Sequence, residues 1–383
     1  MRRLLLALCL LPLALALAPA PAAAATPATP KIMHLNIAGG EWWAGGDTPV
    51  RAVAATARAQ RPDVITLNEI CYDQYIELRD ALKPLDGNGW QVKGWGYVAE
   101  ADSTRYTRCL GPHGVDEPCY AAGTCRLSIG SAILTRHDAH TGTTWDLPSR
   151  TRADGALYKL YCVRTWLPVE TGPLRLQHSQ VCTTHLDPVG GVVDTPTMAG
   201  GWVSFCLPKS AAFAGEDLRH CQASVIRARV EENLMVADAN GRYAPLILTG
   251  DMNNRPDEPA FTSYDAIKNR AAQVQAWRPY FGFADYQPAG TTPLKFHFAE
   301  AGAPADEPTF CRVSSVTYAT PPTASTACDA GYQRVKLDHV LYQREYWHSP
   351  ATTVTLQQRA PGETGMLSDH FRLDSTLAWN PLP

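Results

Sequence analysis

The chain has 383 residues, with 34 Lys and Arg against 37 Asp and Glu and a formal net charge of −3. A balance this close to neutral, without a basic tail or a Lys/Arg run, excludes a global field drawing the protein to nucleic acid or anionic lipid and argues against a dedicated nucleic-acid-binding module. It does not exclude an enzyme that attracts phosphate through a bound divalent cation.

In chain order, Arg2 and Arg3 precede a Leu/Ala run that ends in small residues around Ala23 to Thr26, which reads as a secretory signal peptide over residues 1–25. Pro12, Pro19 and Pro21 interrupt the run and no basic flank follows, so a transmembrane anchor is the weaker reading. The mature product is expected to be secreted and monomeric, with no integral membrane segment. Residues 26–30 form a short Pro/Ala spacer, and 31–380 read as one domain. Of 11 cysteines, Cys9 leaves with the signal; the remaining even set suits disulfides in an exported chain, as many as five. Irregular spacing without a CxxC pair disfavours zinc. Pairs within Cys109 to Cys125, Cys206 with Cys221, and Cys311 with Cys328 would each staple one polar insertion.

Strand-like runs are predicted at Lys31–Ala38, Asp63–Ile70, Gln91–Ala99, Ser128–Thr135, Tyr158–Leu167, Leu174–Thr184, Pro245–Thr249, Leu294–Phe298, Val335–Tyr342, Thr352–Leu356 and Phe371–Ser375. Helical stretches are predicted at Thr48–Gln60, Asp73–Leu82 and Glu216–Ala239, the last from Leu218, Val225, Val230, Leu234 and Val236 at helical spacing. Strands outnumber helices, and the helices fall in two groups, which favours two packed sheets covered by helices over one doubly wound sheet. Three polar, cysteine-bearing stretches, Asp102–Arg126, Pro188–Gln222 and Ala299–Arg334, are long loops that line a site or decorate the surface.

Several apolar runs end in polar groups: Asn36 in KIMHLNIAGG, Glu69 in DVITLNEIC, His185 in VCTTHLD, Asp251 and Asn253 in LILTGDMNNRP, Asp338 and His339 in VKLDHVLY, and Asp369 with His370 in MLSDH. An unpaired buried polar group costs about 1 to 3 kcal/mol, so these strand ends are expected to converge. Singly, each has a plainer reading. Asn36 before Gly39 and Gly40 would be a turn residue, Glu69 a surface carboxylate, His185 with Asp187 and Pro188 an ordinary turn, and Asp251 an Asx turn. By strand alternation His339 faces away from Asp338 and packs. His34 shares the face of Asn36 and receives no role.

Taken in order, NxxGG, LNE, THLD, GDMN, DHV and SDH resemble the endonuclease/exonuclease/phosphatase superfamily, which includes DNase I-like nucleases, neutral sphingomyelinases and inositol polyphosphate 5-phosphatases. The resemblance runs from Asn36 to His370. It implies a four-layered α/β sandwich, two mostly antiparallel sheets face to face and flanked by helices, with the site at strand ends. It also implies Asn36, Glu69 and Asp369 as ligands of Mg²⁺, with Mn²⁺ or Ca²⁺ as alternatives. Asp251 and Asn253 would orient the attacking water and the phosphate, Asn253 also binding substrate. His370 would contact the scissile phosphate or exchange a proton, Asp338 would fix its tautomer, and His185 would protonate the leaving oxygen. Glu100 would support His185, and Arg136 would approach phosphate as a substrate-binding residue; a plain strand-end charge is the competing reading for both. Cys71 stands where DNase I-like nucleases carry an arginine, which weakens that branch specifically.

The chemistry agrees with the residue types. Phosphate ester hydrolysis needs neutralised non-bridging oxygens, an oriented water and a proton for the departing oxygen. Oxygen ligands suit Mg²⁺, and a histidine held by a carboxylate exchanges protons near neutral pH. The expected function is a secreted phosphodiesterase acting on nucleic acid, with a phospholipid as the alternative substrate. Trp42, Trp43 and Trp202 in Gly-rich loops would serve a sphingomyelinase-like or phosphoinositide-directed rival. A non-catalytic binding or toxin-like module of the same fold is the third reading.

Overall fold

The computed structural model describes residues 29–40, 45–102, 109, 128–140, 142–149, 157–170, 175–187, 218–229, 244–253, 298–300, 337–343, 346–355, 367–368 and 370–380. Twelve strands occur among them: β1 (Lys31–Asn36), β2 (Val64–Cys71), β3 (Gly94–Asp102), β4 (Ser128–Thr135), β5 (Thr143–Asp146), β6 (Lys159–Glu170), β7 (Arg175–His185), β8 (Leu246–Asp251), β9 (Phe298–Glu300), β10 (Asp338–Gln343), β11 (Trp347–Thr355) and β12 (Arg372–Trp379). The helices are α1 (Thr48–Gln60), α2 (Tyr72–Leu82) and α3 (Leu218–Arg229). The strands form two six-stranded sheets, ordered β11-β12-β1-β2-β4-β3 and β5-β6-β7-β8-β10-β9. Each sheet contains a single parallel pairing, β1 with β2 and β7 with β8; the other neighbours are antiparallel. The fold is therefore the expected α/β sandwich of two mostly antiparallel sheets.

Alternation along the strands makes the layers. On β1, Met33 and Leu35 point outward and pack with Val50, Val53 and Ala57 of α1 and Tyr75, Leu78 and Leu82 of α2. Ile32 points the other way, into a core shared with Val64 of β2, Ile133 of β4, Val181 of β7, Ile247 of β8 and Val340 of β10. By the period of two, His34 and Asn36 continue the Ile32 face, Thr66 and Asn68 the Val64 face, Thr183 and His185 the Val181 face, and Thr249 and Asp251 the Ile247 face. The inter-sheet layer is thus apolar at one end and polar at the other.

Two bulges in the first sheet break this alternation where the polar end begins. Between Leu67 and Ile70, β2 carries one residue more than β4, and between Ala99 and Ala101, β3 does the same. The extra residues bring Glu69 and Glu100 to the polar end, and Glu69 takes a left-handed backbone with φ 53°. Bulges re-aim side chains in this way, and a left-handed non-glycine costs about 1 kcal/mol. Gly130 of β4 pairs with Ile70 on one side and Ala99 on the other, so it sits between both bulges. A Cβ there would overlap the Val98 carbonyl oxygen.

The end of β1 locks the first bulge. The Ile37 and Gly39 amides donate to the Asn68 and Glu69 carbonyls at 3.1 and 2.9 Å. Gln74 caps α2 by accepting from the Cys71 amide at 3.0 Å, while its own amide donates to the Gly39 and Gly46 carbonyls. On the second sheet, α3 is fastened to the ends of β7 and β8: Gln222 accepts from the Asp187 amide and donates to the Pro148 carbonyl, and Arg219 donates to the Asn253 carbonyl.

The disulfides correct one sequence expectation. Cys109 pairs with Cys71, tying the residue after the β2 bulge to the following insertion, rather than pairing locally towards Cys125. A second disulfide joins Cys162 of β6 to Cys182 of β7, which are directly opposed in register. Spacing along the chain cannot register a cross-strand pair, because strand pairing creates the proximity. The other expected pairs involve Cys119, Cys125, Cys206, Cys221, Cys311 and Cys328, whose side chains lie outside the described residues, as do residues 1–28 and Trp42, Trp43 and Trp202. Among the described residues no helix is long and apolar enough to cross a membrane. Helix α3 is described over Leu218–Arg229, within the expected Glu216–Ala239, whereas β9 (Phe298–Glu300) meets the expected strand Leu294–Phe298 only at Phe298 and runs on into the stretch expected to be a loop.

Gly130→Ala should destabilise the protein by about 1 to 3 kcal/mol, the cost of forcing a methyl into a tightly packed backbone. Gly87→Ala, where a Cβ meets nothing within 4 Å, should be near neutral. Urea denaturation of both variants checks this, and equal midpoints would show that Gly130 is not the pinch point between the bulges.

Candidate functional site

The polar ends of β1, β2, β3, β7, β8 and β10 meet at the edge of the inter-sheet layer. Asn36 stands at the centre. Its amide nitrogen donates to Glu69 Oε1 and to Asp251 Oδ2, both at 3.0 Å, and its oxygen accepts from the Ala38 amide at 3.0 Å. The two carboxylates require a donor between them, and the Asn36 amide supplies it; here the residue presents its nitrogen, not the lone pair of a ligand, to the site. Asp251 also accepts from the Asn253 amide at 2.8 Å through Oδ1. Asn253, with φ 48°, turns its side chain to the Leu186 carbonyl at 2.7 Å.

Two histidines flank Asp251. His185 Nε2 lies 3.7 Å from Asp251 Oδ2 and 3.7 Å from Glu69 Oε1, and its Nδ1 lies 3.5 Å from Glu100 Oε2. His370 Nε2 lies 3.5 Å from the same Asp251 oxygen, and its Nδ1 lies 2.8 Å from Asp338 Oδ2. Each imidazole is therefore held at Nδ1 by a buried carboxylate and turns Nε2 to the centre. The Tyr158 ring meets His185 edge-on, with centroids 5.6 Å apart.

The charges respond to one another. Burial alone would lower the pKa of His185, but the hydrogen bond with Glu100 and the negative charges of Asp251, Glu100 and Glu69 push it up to about 9. Burial alone would raise the Asp338 carboxyl; His370 and His34 outweigh it and hold that group below the usual carboxylate range.

Several members of the site received no role from the sequence. Asn68 reaches across the layer: its oxygen accepts from the Asp251 amide at 3.0 Å, and its nitrogen donates to Ser131 Oγ at 2.8 Å. Ser131 then donates to Glu100 Oε1 at 2.8 Å, so one chain of hydrogen bonds runs from the Asp251 backbone to the carboxylate behind His185. His34 lies behind Asp338. The period-two pattern places Asn68 on the inner face with Thr66 and Ser131 on the inner face with Ile133, which is the signal available for both. Glu100, expected to support His185, does stand behind it, brought there by a bulge in β3 that no local pattern announces.

A sequence model described as the Endonuclease/Exonuclease/phosphatase family matches residues 33–370, most of the chain and all of the groups just described. The chain belongs to the endonuclease/exonuclease/phosphatase family. Its members hydrolyse phosphate esters, and this chain is a phosphoesterase of that class. No curated protein matches the sequence at a significant level. Among solved structures, an endonuclease/exonuclease/phosphatase from Beutenbergia cavernae DSM 12333 is 17% identical with a TM-score of 0.51, over 93% of this chain and 72% of its own. Truncated TDP2 from Caenorhabditis elegans is 14% identical with a TM-score of 0.48, over 91% and 97%. The human Nocturnin catalytic domain is 15% identical with a TM-score of 0.47, over 93% and 98%. At these identities the likeness to the Beutenbergia protein shows the fold alone.

Within this endonuclease/exonuclease/phosphatase site, Glu69, His185 and Asp251 each offer a ligand atom within 4.8 Å of the others, and so do Asp251, Asp338 and His370. The first group, with Asn36 beside it, suits a divalent cation: two carboxylates converge and the oxygen donors match a hard ion. In the second, Asp338 and His370 already satisfy each other. Asp369, expected as a ligand, lies outside the described residues. Arg136 does not join the site. It follows β4 at the end opposite Glu69, half-exposed, with Nη1 3.7 Å from Asp63 Oδ1. Antiparallel pairing of β4 with β2 forces this, since the residue after Thr135 must lie beside the start of β2. His339 pairs in register with Gly250 on the face away from Asp338, in line with strand alternation.

The raised His185 pKa has a stability consequence in protein stripped of divalent ions with EDTA. Because the folded value lies above the ordinary 6.5 or so, the contribution is fully present below about pH 6.5 and is lost as pH rises through about 9. The stability gap between wild type and His185→Gln, of order 3 kcal/mol near pH 6, should therefore close by about pH 9.5. Denaturation curves across that range check it; a gap that widened with pH would contradict the assignment.

Proposed function

We propose that the protein is a secreted, Mg²⁺-dependent phosphodiesterase of the DNase I-like kind, cutting nucleic acid. One observation carries this reading: two histidines, each held at Nδ1 by its own buried carboxylate, turn Nε2 towards the same Asp251 oxygen beside Glu69. Diester hydrolysis needs such a pair. The departing alkoxide is a poor leaving group that requires a proton, while the phosphoryl oxygens require a second donor.

Glu69 and Asp251, with Asn36 beside them, would hold Mg²⁺, which supplies charge neutralisation on the non-bridging oxygens and acidifies water. Asp251, positioned through its backbone by Asn68 and through Oδ1 by the Asn253 amide, accepts a proton from the attacking water. Asn253 and His370 Nε2 hold the phosphoryl oxygens. As the water oxygen bonds to phosphorus and the bond to the leaving oxygen breaks, His185 Nε2 gives its proton to that oxygen. Glu100 keeps His185 protonated, and Asp338 keeps a proton on His370 Nδ1.

The assay uses plasmid DNA and bis(p-nitrophenyl) phosphate with Mg²⁺, with EDTA, and with His370→Ala and His185→Ala. EDTA and His370→Ala should each reduce DNA cleavage by about 100-fold or more. His185→Ala should lose a similar factor on DNA but under about 10-fold on the nitrophenyl ester, whose leaving group needs no proton. Undiminished cleavage with EDTA and in both variants would sink the mechanism. Turnover of sphingomyelin vesicles or phosphoinositides in place of DNA would transfer the mechanism to a lipid substrate.

A further inference from the structure

His34 is fully buried on β1, two residues before Asn36 and on the same inward face. Ile32, the neighbour on that face, belongs to the apolar inter-sheet core. Packing alone would be satisfied at position 34 by another aliphatic residue, and burying an imidazole costs free energy unless its nitrogens meet partners. They do. Nδ1 lies 3.0 Å from Thr66 Oγ1 on the adjacent parallel strand, where His34 and Thr66 are paired in register. Nε2 lies 3.4 Å from Asp338 Oδ1, longer than a good hydrogen bond but well within reach of a carboxylate charge.

The protons follow from these neighbours. An ionised carboxylate only accepts, so the His34 proton belongs on Nε2, facing Asp338. Nδ1 is left to accept from the Thr66 hydroxyl at 3.0 Å, a shorter contact than the 3.5 Å over which that hydroxyl donates to the Met33 carbonyl. Asp338 is then held on both oxygens, by a 2.8 Å hydrogen bond from His370 at Oδ2 and by the longer 3.4 Å electrostatic contact with His34 at Oδ1. A carboxylate held on one oxygen only can rotate about its Cβ–Cγ bond; held on both, it keeps one plane.

We infer that His34 is a positioning residue: with Thr66 behind it, it holds Asp338 from the side opposite His370, so that Asp338 fixes the His370 ring with Nε2 aimed at the phosphate site. His34 touches no reacting atom. It acts through Asp338 on His370, making a three-membered array of imidazole, carboxylate and imidazole that spans β1, β10 and the segment two residues before β12. The kinetic part of this inference rests on the phosphodiesterase reading above; the positioning itself does not.

The test compares His34→Leu and His34→Gln in the wild-type and His370→Ala backgrounds, using the Mg²⁺-loaded full chain. His34→Leu should lower kcat by about 10- to 100-fold, as loss of a supporting partner does at other sites, with KM within about twofold. His34→Gln, whose amide N–H can reach Asp338 Oδ1, should recover most of that loss. With His370 already removed, His34→Leu should change the residual rate by less than about twofold, because there is no longer a ring to position. Equal losses in both backgrounds, or a loss confined to KM, would overturn the inference. Should His34→Leu not fold, His34→Asn, too short to reach Asp338, takes its place in the same comparison. A readout independent of turnover is the low-field Nδ1–H proton resonance of His370 in the NMR spectrum, which should broaden or shift in His34→Leu and persist in His34→Gln. An unchanged resonance in both variants would overturn the positioning role. Wild-type protein that hydrolyses no phosphodiester but shows the resonance change would instead defeat the functional reading and leave the array standing.

Discussion

The structure depends on keeping together one half-buried carboxylate, Glu69, and three buried ones, Glu100, Asp251 and Asp338. Glu69 and Asp251 present oxygens within 4.8 Å of each other, and Glu100 and Asp338 stand one imidazole further out. Two carboxylates about 4 Å apart repel by about 4 kcal/mol at an effective dielectric near 20, so the site holds only because donors are interleaved with them. Asn36 lies between Glu69 and Asp251, His185 between Glu100 and that pair, and His370 between Asp251 and Asp338. The alternation of acid and donor explains why the polar groups come from strand ends and not from one loop. Rigid strands fix the separations that the electrostatics require.

The sandwich supplies that rigidity from both sides. Asn68 on the first sheet accepts from the backbone of Asp251 on the second, and Asn36 reaches Asp251 by its side chain. These contacts cross the layer where the apolar core of Ile32, Val64, Val181 and Ile247 gives way to polar residues. The bulges at Glu69 and Glu100 are the local irregularity that this requires. A regular strand would turn one of every two neighbours away, and the site needs both Asn68 and Glu69 from consecutive positions. The Cys71–Cys109 disulfide and the Gln74 cap then fasten the residues just beyond the first bulge.

Much of this was legible in the sequence because it follows from periodicity. Helix α1 and β4 have the predicted limits, and strand alternation separates Asp338 from His339 correctly. The convergence of Asn36, Glu69, His185, Asp251, Asp338 and His370 was legible from polar groups ending apolar runs. Arg136 failed for a topological reason: it also ends an apolar run, but at the opposite end of an antiparallel strand, and nothing in the run itself states its direction in the sheet. Cys162 with Cys182 was invisible because register, not spacing, brings them together. His34 and Asn68 were readable as inward-facing residues, yet their roles depend on partners in β10, β4 and β8, and one-dimensional spacing does not specify those contacts.

The central claim is that this interleaved cluster is built around one divalent cation held by Glu69 and Asp251. Its most direct measurement is a crystal structure of the protein soaked with Mn²⁺, with an anomalous difference map collected for wild type and for Glu69→Gln. A single strong peak between the Glu69 and Asp251 carboxylates, lost in Glu69→Gln, is the predicted result. A map without density there, or with an equal peak in the Glu69→Gln crystal, would contradict it.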